Sequence, residues 1–327
     1  MSQSGFSLQT AESKQAPANG ANADFALYGM LGMTFMNCAP LTNMAESVAD
    51  VIVVGVPFDM ATSGRSGARM GPTSIRQASA NLLWEGERWP WRFALDQCLT
   101  MEDAGNLKFK HGEPQTMVDN LEQIVSSIVQ HGKRSLVFGG DHFIALPVIR
   151  AQAKKHGPVA LVHFDAHTDT YDGGSEYDHG TLFHHAVQEG LIDTEHSIQI
   201  GIRTNWTREG HPFEVLDAAE VNDIGPNGII ERIRQRVGDR PVYISFDIDA
   251  LDPAFAPGTG TPVSGGMTTD CALKIIRGLA GLEILGVDVV EVAPAYDHAE
   301  VTSLAAATIA LEALYAMAAK YQQITFA

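Results

Sequence analysis

At 327 residues with 45% hydrophobic content, the chain is large enough to bury one extensive core or two modest ones, and its composition is that of a globular protein rather than a disordered one. Asp and Glu number 39 against 22 Lys and Arg, a formal net charge of −17, so the surface is expected to repel nucleic acid and anionic lipid and to attract cations. Three widely spaced cysteines, Cys38, Cys98 and Cys271, fit neither a disulfide framework nor a Cys-rich zinc site, and suit a reducing cytoplasm.

In chain order, residues 1–22 are polar and rich in Gly, Ala and Ser, lack the apolar run of a secretory signal, and read as a flexible tail. From residue 23 to 327 nothing interrupts the pattern as a linker would, which predicts a single α/β domain. Short β-branched runs predict strands at 51–56, 135–138, 159–164, 197–202, 242–246 and 285–292. Between and after them, helical spacing predicts helices at 73–83, 116–130, 145–155, 182–189, 229–237, 268–279 and 300–321. Such alternation argues for a largely parallel central sheet with helices on both faces. The apolar stretch 304–320 carries Glu312 and falls short of the roughly 20 apolar residues of a membrane span. Glycine patches at 64–71, 173–174 and 258–266 adjoin the predicted strands and helices, and in open α/β sheets the loops at the carboxyl ends of strands form the ligand crevice.

Two of those strand ends resemble each other: His163-Phe164-Asp165-Ala166-His167-Thr168-Asp169 and Ser245-Phe246-Asp247-Ile248-Asp249. On an extended strand, residues two apart share a face, so Asp165 pairs with His167 and Asp247 with Asp249. Asp169 requires a bend after His167, because four strand residues span about 13 Å whereas paired metals in hydrolases sit about 3.5–4 Å apart. A third strand end, Gly139-Gly140-Asp141-His142, adds His142 where two glycines let the backbone turn closely. Four carboxylates and two imidazoles without a thiolate favour Mn(II) over zinc, while Mg(II) suits imidazole poorly. Asp141 is expected to orient a neighbour, Asp252 before Pro253 to start a turn, and His163 either to support Asp165 or to be a core histidine.

These motifs, with Leu251-Asp252-Pro253-Ala254-Phe255-Ala256-Pro257-Gly258-Thr259-Gly260-Thr261-Pro262, resemble in order and spacing the signatures of the arginase and agmatinase ureohydrolases. The resemblance runs from about Val51 to the C-terminus and is strongest toward the bacterial agmatinases. It implies a three-layer α/β/α sandwich, a trimer or hexamer, and a binuclear manganese centre. Asp165 and Asp247 would bridge the metals, with His142 and Asp169 on one and His167 and Asp249 on the other. The same resemblance assigns Glu291 to the substrate guanidinium and His179 to proton transfer.

The expected chemistry is attack of a metal-activated hydroxide on the guanidinium carbon, with a proton delivered by way of Asp249 or His179 to the departing amine. Negative charge from the carboxylates and hydroxide exceeds that of two divalent cations, which independently favours a cationic substrate. The segment 170–178 carries Asp172, Glu176 and Asp178 and no basic residue, which favours agmatine, with Asp172 and Glu176 as candidate substrate-binding residues. Arg203, as a receptor for a carboxylate, keeps guanidinobutyrate or guanidinopropionate as the alternative. An inactive metal-binding scaffold would have lost a ligand, and a nucleotide-binding protein would carry a longer glycine motif; neither feature is found.

Overall fold

The computed structural model describes residues 33–84 and 86–322; the tail expected at 1–22 lies outside them. Nine strands are found among the described residues: β1 (Ala39–Pro40), β2 (Val51–Val56), β3 (Met101–Asn106), β4 (Arg134–Gly139), β5 (Ala160–Phe164), β6 (Ile198–Ile202), β7 (Glu214–Asp217), β8 (Val242–Asp247) and β9 (Ile284–Val290). They form one sheet in the order β1-β3-β2-β4-β9-β8-β5-β6-β7, and every pairing is parallel.

Seven α-helices among the described residues cover it: α1 (Gly71–Ser79), α2 (Pro114–Gln130), α3 (Ala145–His156), α4 (Leu182–Gln188), α5 (Ala218–Val237), α6 (Thr269–Gly278) and α7 (Val301–Gln322). The period of two along each strand divides the interior into two cores. Val242, Ile244 and Phe246 of β8 join one core with Ile75 of α1, Ile229 of α5, Ile275 of α6 and Leu314 of α7. Tyr243 joins the other with Leu121 of α2, Ile149 of α3 and Phe183 of α4. The result is a three-layer α/β/α sandwich. The chain steps one way along the sheet through α2, α3 and α4 and the other way through α1, α5 and α6. Right-handed crossovers therefore put the two groups on opposite faces. The step from β4 to β5 leaves a gap that β9 and β8 later fill, so the carboxyl ends of β4, β9, β8 and β5 stand side by side.

Three strands escape the apolar-run criterion. β3 reads Met-Glu-Asp-Ala-Gly-Asn, and its buried Asp103 is taken by Arg76, with Nε to Oδ2 at 2.8 Å and Nη2 to Oδ1 at 2.9 Å. β1 and β7 are short edge strands. α5 begins at Ala218 rather than 229: Asp217 caps it by accepting from Glu220 N at 3.0 Å, and Gly225 (φ 66°) with Pro226 kinks it, which hides the helical period. α7 is apolar and long enough to cross a bilayer, yet 83% of its most apolar window is buried in the protein. Its Glu312 is held inside by Arg277 at 2.9 Å to both carboxylate oxygens.

Candidate active site

The ligand-type residues converge at the four adjacent strand ends. His142 opens a short 3-10 turn after β4, reached through Gly140 at φ 28°. A Cβ at Gly140 would stand 2.3 Å from the Phe58 carbonyl, so only glycine allows this approach. Asp165, His167 and Asp169 follow β5, which ends at Phe164. Asp247 ends β8, and Asp249 lies in the 3-10 turn Ile248–Ala250. The expectation that strand alternation pairs these ligands is thereby corrected: tight turns bring them together. Asp165 Oδ1 accepts from His167 N at 2.6 Å, and Asp247 Oδ1 from Asp249 N at 2.8 Å. The bend expected after His167 is made by Asp169 itself, at φ 51°.

His142 Nδ1 stands 2.8 Å from Asp169 Oδ2, 3.1 Å from Asp165 Oδ2 and 3.3 Å from Asp247 Oδ2. His167 Nδ1 stands 3.1 Å from Asp249 Oδ2 and 3.2 Å from Asp165 Oδ1. Asp165 thus belongs to both groups, one with His142 and Asp169 and one with His167 and Asp249, an arrangement suited to two metals. The tautomer of His142 strengthens this fit. Ser245 Oγ donates to Asp288 Oδ1 at 2.8 Å, so at 2.8 Å from His142 Nε2 it accepts that ring proton. In the neutral ring, Nδ1 then presents a bare lone pair to three carboxylate oxygens, and it is buried without a hydrogen bond. A cation among them removes that conflict.

His163 supports the same cluster. Gln199 Nε2 donates to the Thr168 carbonyl at 2.7 Å and lies 2.9 Å from His163 Nδ1, which leaves His163 Nε2 to donate to Asp165 Oδ2 at 2.8 Å.

Electrostatics agree with this geometry. Burial, then the charges of Asp249 and Asp165, push Asp247 well above the usual carboxylate range. Burial followed by Asp165 raises both Asp169 and Asp249. Asp165 moves the other way, because the neighbouring imidazoles of His142, His163 and His167 outweigh burial. Burial opposes charge on His167, but Asp249 and Asp165 push it up to about 12. The bare cluster thus takes up protons where divalent cations would supply the positive charge.

Beside the cluster lies a cavity of about 320 Å³, whose walls include Ser63, His167, Asp169, Asp178, His179, Asp247 and Thr261. Glu291, at φ 63° after β9, is buried and reaches that wall through His179. Its Oε1 accepts from His142 N at 2.9 Å and His179 Nδ1 at 2.8 Å, whereas its Oε2 is buried without a partner.

The remaining sequence candidates divide. Asp141 accepts from Ala61 N at 2.8 Å and so orients the loop after β2. Asp252 holds a turn through Ala254 N at 2.9 Å and Gly265 N at 2.7 Å. Asp172 and Glu176 do not line the cavity of the cluster, which corrects their expected placement. Asp172 borders a neighbouring cavity with Trp206 and His211, and the charge of Glu176 acts on Arg150 and Tyr177. Asp178 is the acid of that loop that does reach the cavity. Arg203 spends its guanidinium on the carbonyls of Asp249 (2.5 Å), Val263 (2.8 Å) and Gly201 (3.0 Å), and so is not free for a carboxylate. Ser63 was invisible to spacing arguments, since it lies in the loop after β2, far in sequence from every ligand.

A model of the arginase family matches residues 49–316, and the chain belongs to that family. It is 59% identical over 275 residues to an agmatinase of Serratia proteamaculans (strain 568), an alignment covering 84% of this chain and 90% of that protein. Among solved structures, a hypothetical agmatinase from Burkholderia thailandensis superposes with a TM-score of 0.85 at 45% identity, covering 89% of this chain and 92% of that one. Proclavaminate amidino hydrolase from Streptomyces clavuligerus gives a TM-score of 0.82 at 38% identity, covering 90% of this chain and 99% of that one.

Proposed function

We propose that the chain is an agmatinase-type amidinohydrolase that cleaves agmatine to urea and putrescine with two manganese ions. The observation that carries this reading is the charge of the cavity: beside Asp169 and Asp247, whose charge bound metals would offset, Asp178 lines it as a further acid, and no Lys or Arg does among the described residues. A substrate cationic at both ends suits such a cavity, whereas a carboxylate tail meets like charge and finds Arg203 already engaged. The relative from Serratia, named an agmatinase, supports the same choice.

His142, Asp165, His167, Asp169, Asp247 and Asp249 would hold the metals, a set rich in hard oxygen donors and free of thiolate, as manganese prefers. Once bound, these ions supply the Lewis acidity that turns water into a nucleophile near neutral pH. The protein's own groups do the rest. Glu291 Oε2, an unpartnered buried acceptor, suits the guanidinium N–H groups and fixes its carbon by the metals. Asp178 takes the far ammonium. His179 keeps its Nδ1 proton toward Glu291 and meets Ser63, which shares the cavity wall with it, through Nε2, so it is placed for proton transfer. Asp249 accepts from Ala166 N at 3.0 Å and from Thr261 Oγ1 at 3.3 Å, which fixes its carboxylate between the metal group and the cavity wall. The enzyme would work in the cytoplasm as a homo-oligomer. Urea release from agmatine by protein loaded with manganese tests the reading directly; a protein that binds the metal yet releases no urea from agmatine contradicts it.

A further inference from the structure

Both ring nitrogens of His179 are occupied. Nδ1 meets Glu291 Oε1 at 2.8 Å, and Nε2 meets Ser63 twice, at 2.7 Å from Oγ and 3.0 Å from the backbone N. Neither ring nitrogen is left without a partner to meet a substrate. Ser63, by contrast, is exposed and lines the cavity together with His179. Its position is imposed by the fold. The loop after β2 is pinned by Asp141, which accepts from Ala61 N at 2.8 Å, and by the Ala61 carbonyl, which accepts from His179 N at 3.1 Å. Beyond Ser63, Arg65 Nη2 donates to the Thr259 carbonyl at 2.7 Å.

Resting on the reading that the chain hydrolyses a guanidino compound, we infer that Ser63 is a further catalytic residue, the final proton donor to the departing amine in a Glu291–His179–Ser63 relay. As the C–N bond of the tetrahedral adduct breaks, its electron pair goes to nitrogen, which takes the Ser63 Oγ proton. Ser63 Oγ takes the proton of His179 Nε2 in the same movement, and the imidazole keeps its Nδ1 proton toward Glu291. The ring is then reprotonated at Nε2 from solvent through the same hydroxyl.

Two opposed influences keep this proton mobile. Burial disfavours a charged ring, but Glu291, aided by Asp169 and Asp141, pushes His179 up to about 9. The Ser63 backbone N–H is satisfied only when Nε2 is deprotonated, and so favours release. The constellation has the serine, imidazole and carboxylate of the hydrolase triads, with the hydroxyl serving here as acid.

The test compares wild type, Ser63→Ala and Ser63→Thr, each loaded with manganese, on agmatine and on guanidino compounds whose departing amines are less basic. Wild-type urea release from agmatine establishes the underlying reading; its absence overturns that reading and, with it, the relay. Given that release, the relay predicts that Ser63→Ala lowers kcat about 100-fold with KM changed less than about threefold. Ser63→Thr, which keeps the hydroxyl, should recover most of the loss. The Ser63→Ala defect should also shrink as the departing amine becomes less basic, because such an amine leaves with little help. A kcat within about threefold of wild type, equal impairment in Ala and Thr variants, or a defect independent of the departing amine overturns the relay.

Discussion

Ser245 Oγ stands 2.8 Å from His142 Nε2 and hands its own proton to Asp288, so one hydroxyl fixes which nitrogen of His142 faces the cluster. Ser245→Ala leaves the Nε2 proton buried without an acceptor and frees the ring to adopt the other tautomer. Metal affinity should fall about 10- to 100-fold, as read by competition with a chelator, while saturating manganese restores two ions per chain. Unchanged affinity would show that the Ser245 contact does not orient the ring.

Glu291→Gln keeps the shape of the side chain but removes the charge suited to guanidinium. Agmatine turnover should fall at least about 100-fold, and elemental analysis should still find both metals. Loss of metal in this variant would place Glu291 in the metal centre instead.

Of the three acids in 170–178, Asp178 alone lines the cavity beside the metals. Asp178→Asn should reduce kcat/KM for agmatine by about 5- to 150-fold, the range of a 1–3 kcal/mol charge interaction. Asp172→Asn and Glu176→Gln should stay within about threefold of wild type on the same scale. Equal losses at all three positions would mean that the loop acts through its net charge rather than through one residue.

Protons held by the bare cluster must leave when metal enters. Three carboxylates outweigh burial to raise His142, and Asp249 and Asp165 push His167 up to about 12, so the metal-free protein favours the charged form of both rings, which must be neutral to ligate. The sign follows: raising the pH favours the ligating form, and apparent manganese affinity should increase from pH 6 to pH 8 with release of protons. Calorimetric titration in buffers of different ionisation enthalpy counts those protons, and zero release would contradict the assignment. Removing the metals should also lower the melting temperature, by roughly 5 °C or more relative to protein at about 100 Kd of manganese.

Much of this was legible in the sequence because parallel strands buried on both faces read as apolar runs, and ligands sit at their carboxyl ends. β2, β4, β5, β6, β8 and β9 announce themselves in that way. β3 does not, since its Asp103 is buried only by virtue of Arg76, a tertiary pairing no local window contains. The six ligand residues were legible from D-x-H-x-D, D-x-D and the Gly-Gly-Asp-His run, but the reason they meet was not. Asp169 at φ 51° and the 3-10 turn bearing Asp249 replace the alternation that spacing suggested. Asp172 and Glu176 were chosen by charge alone, and charge carries no direction; Asp178 next to His179 is the one turned toward the cavity. Ser63 was out of reach because its partner lies 116 residues away.

The central claim, a site built for a substrate cationic at both ends, is tested most directly by kcat/KM for agmatine, guanidinobutyrate and arginine, measured as urea release at equal ionic strength with manganese supplied. Agmatine should lead guanidinobutyrate by about 5- to 150-fold, the effect of a carboxylate placed beside Asp178 in place of an ammonium. Arginine should be poor as well, since Arg203 is closed off by backbone carbonyls and leaves the added carboxylate without a partner. A preference for guanidinobutyrate or arginine would contradict the account, because it requires a Lys or Arg at a cavity whose walls carry neither among the described residues.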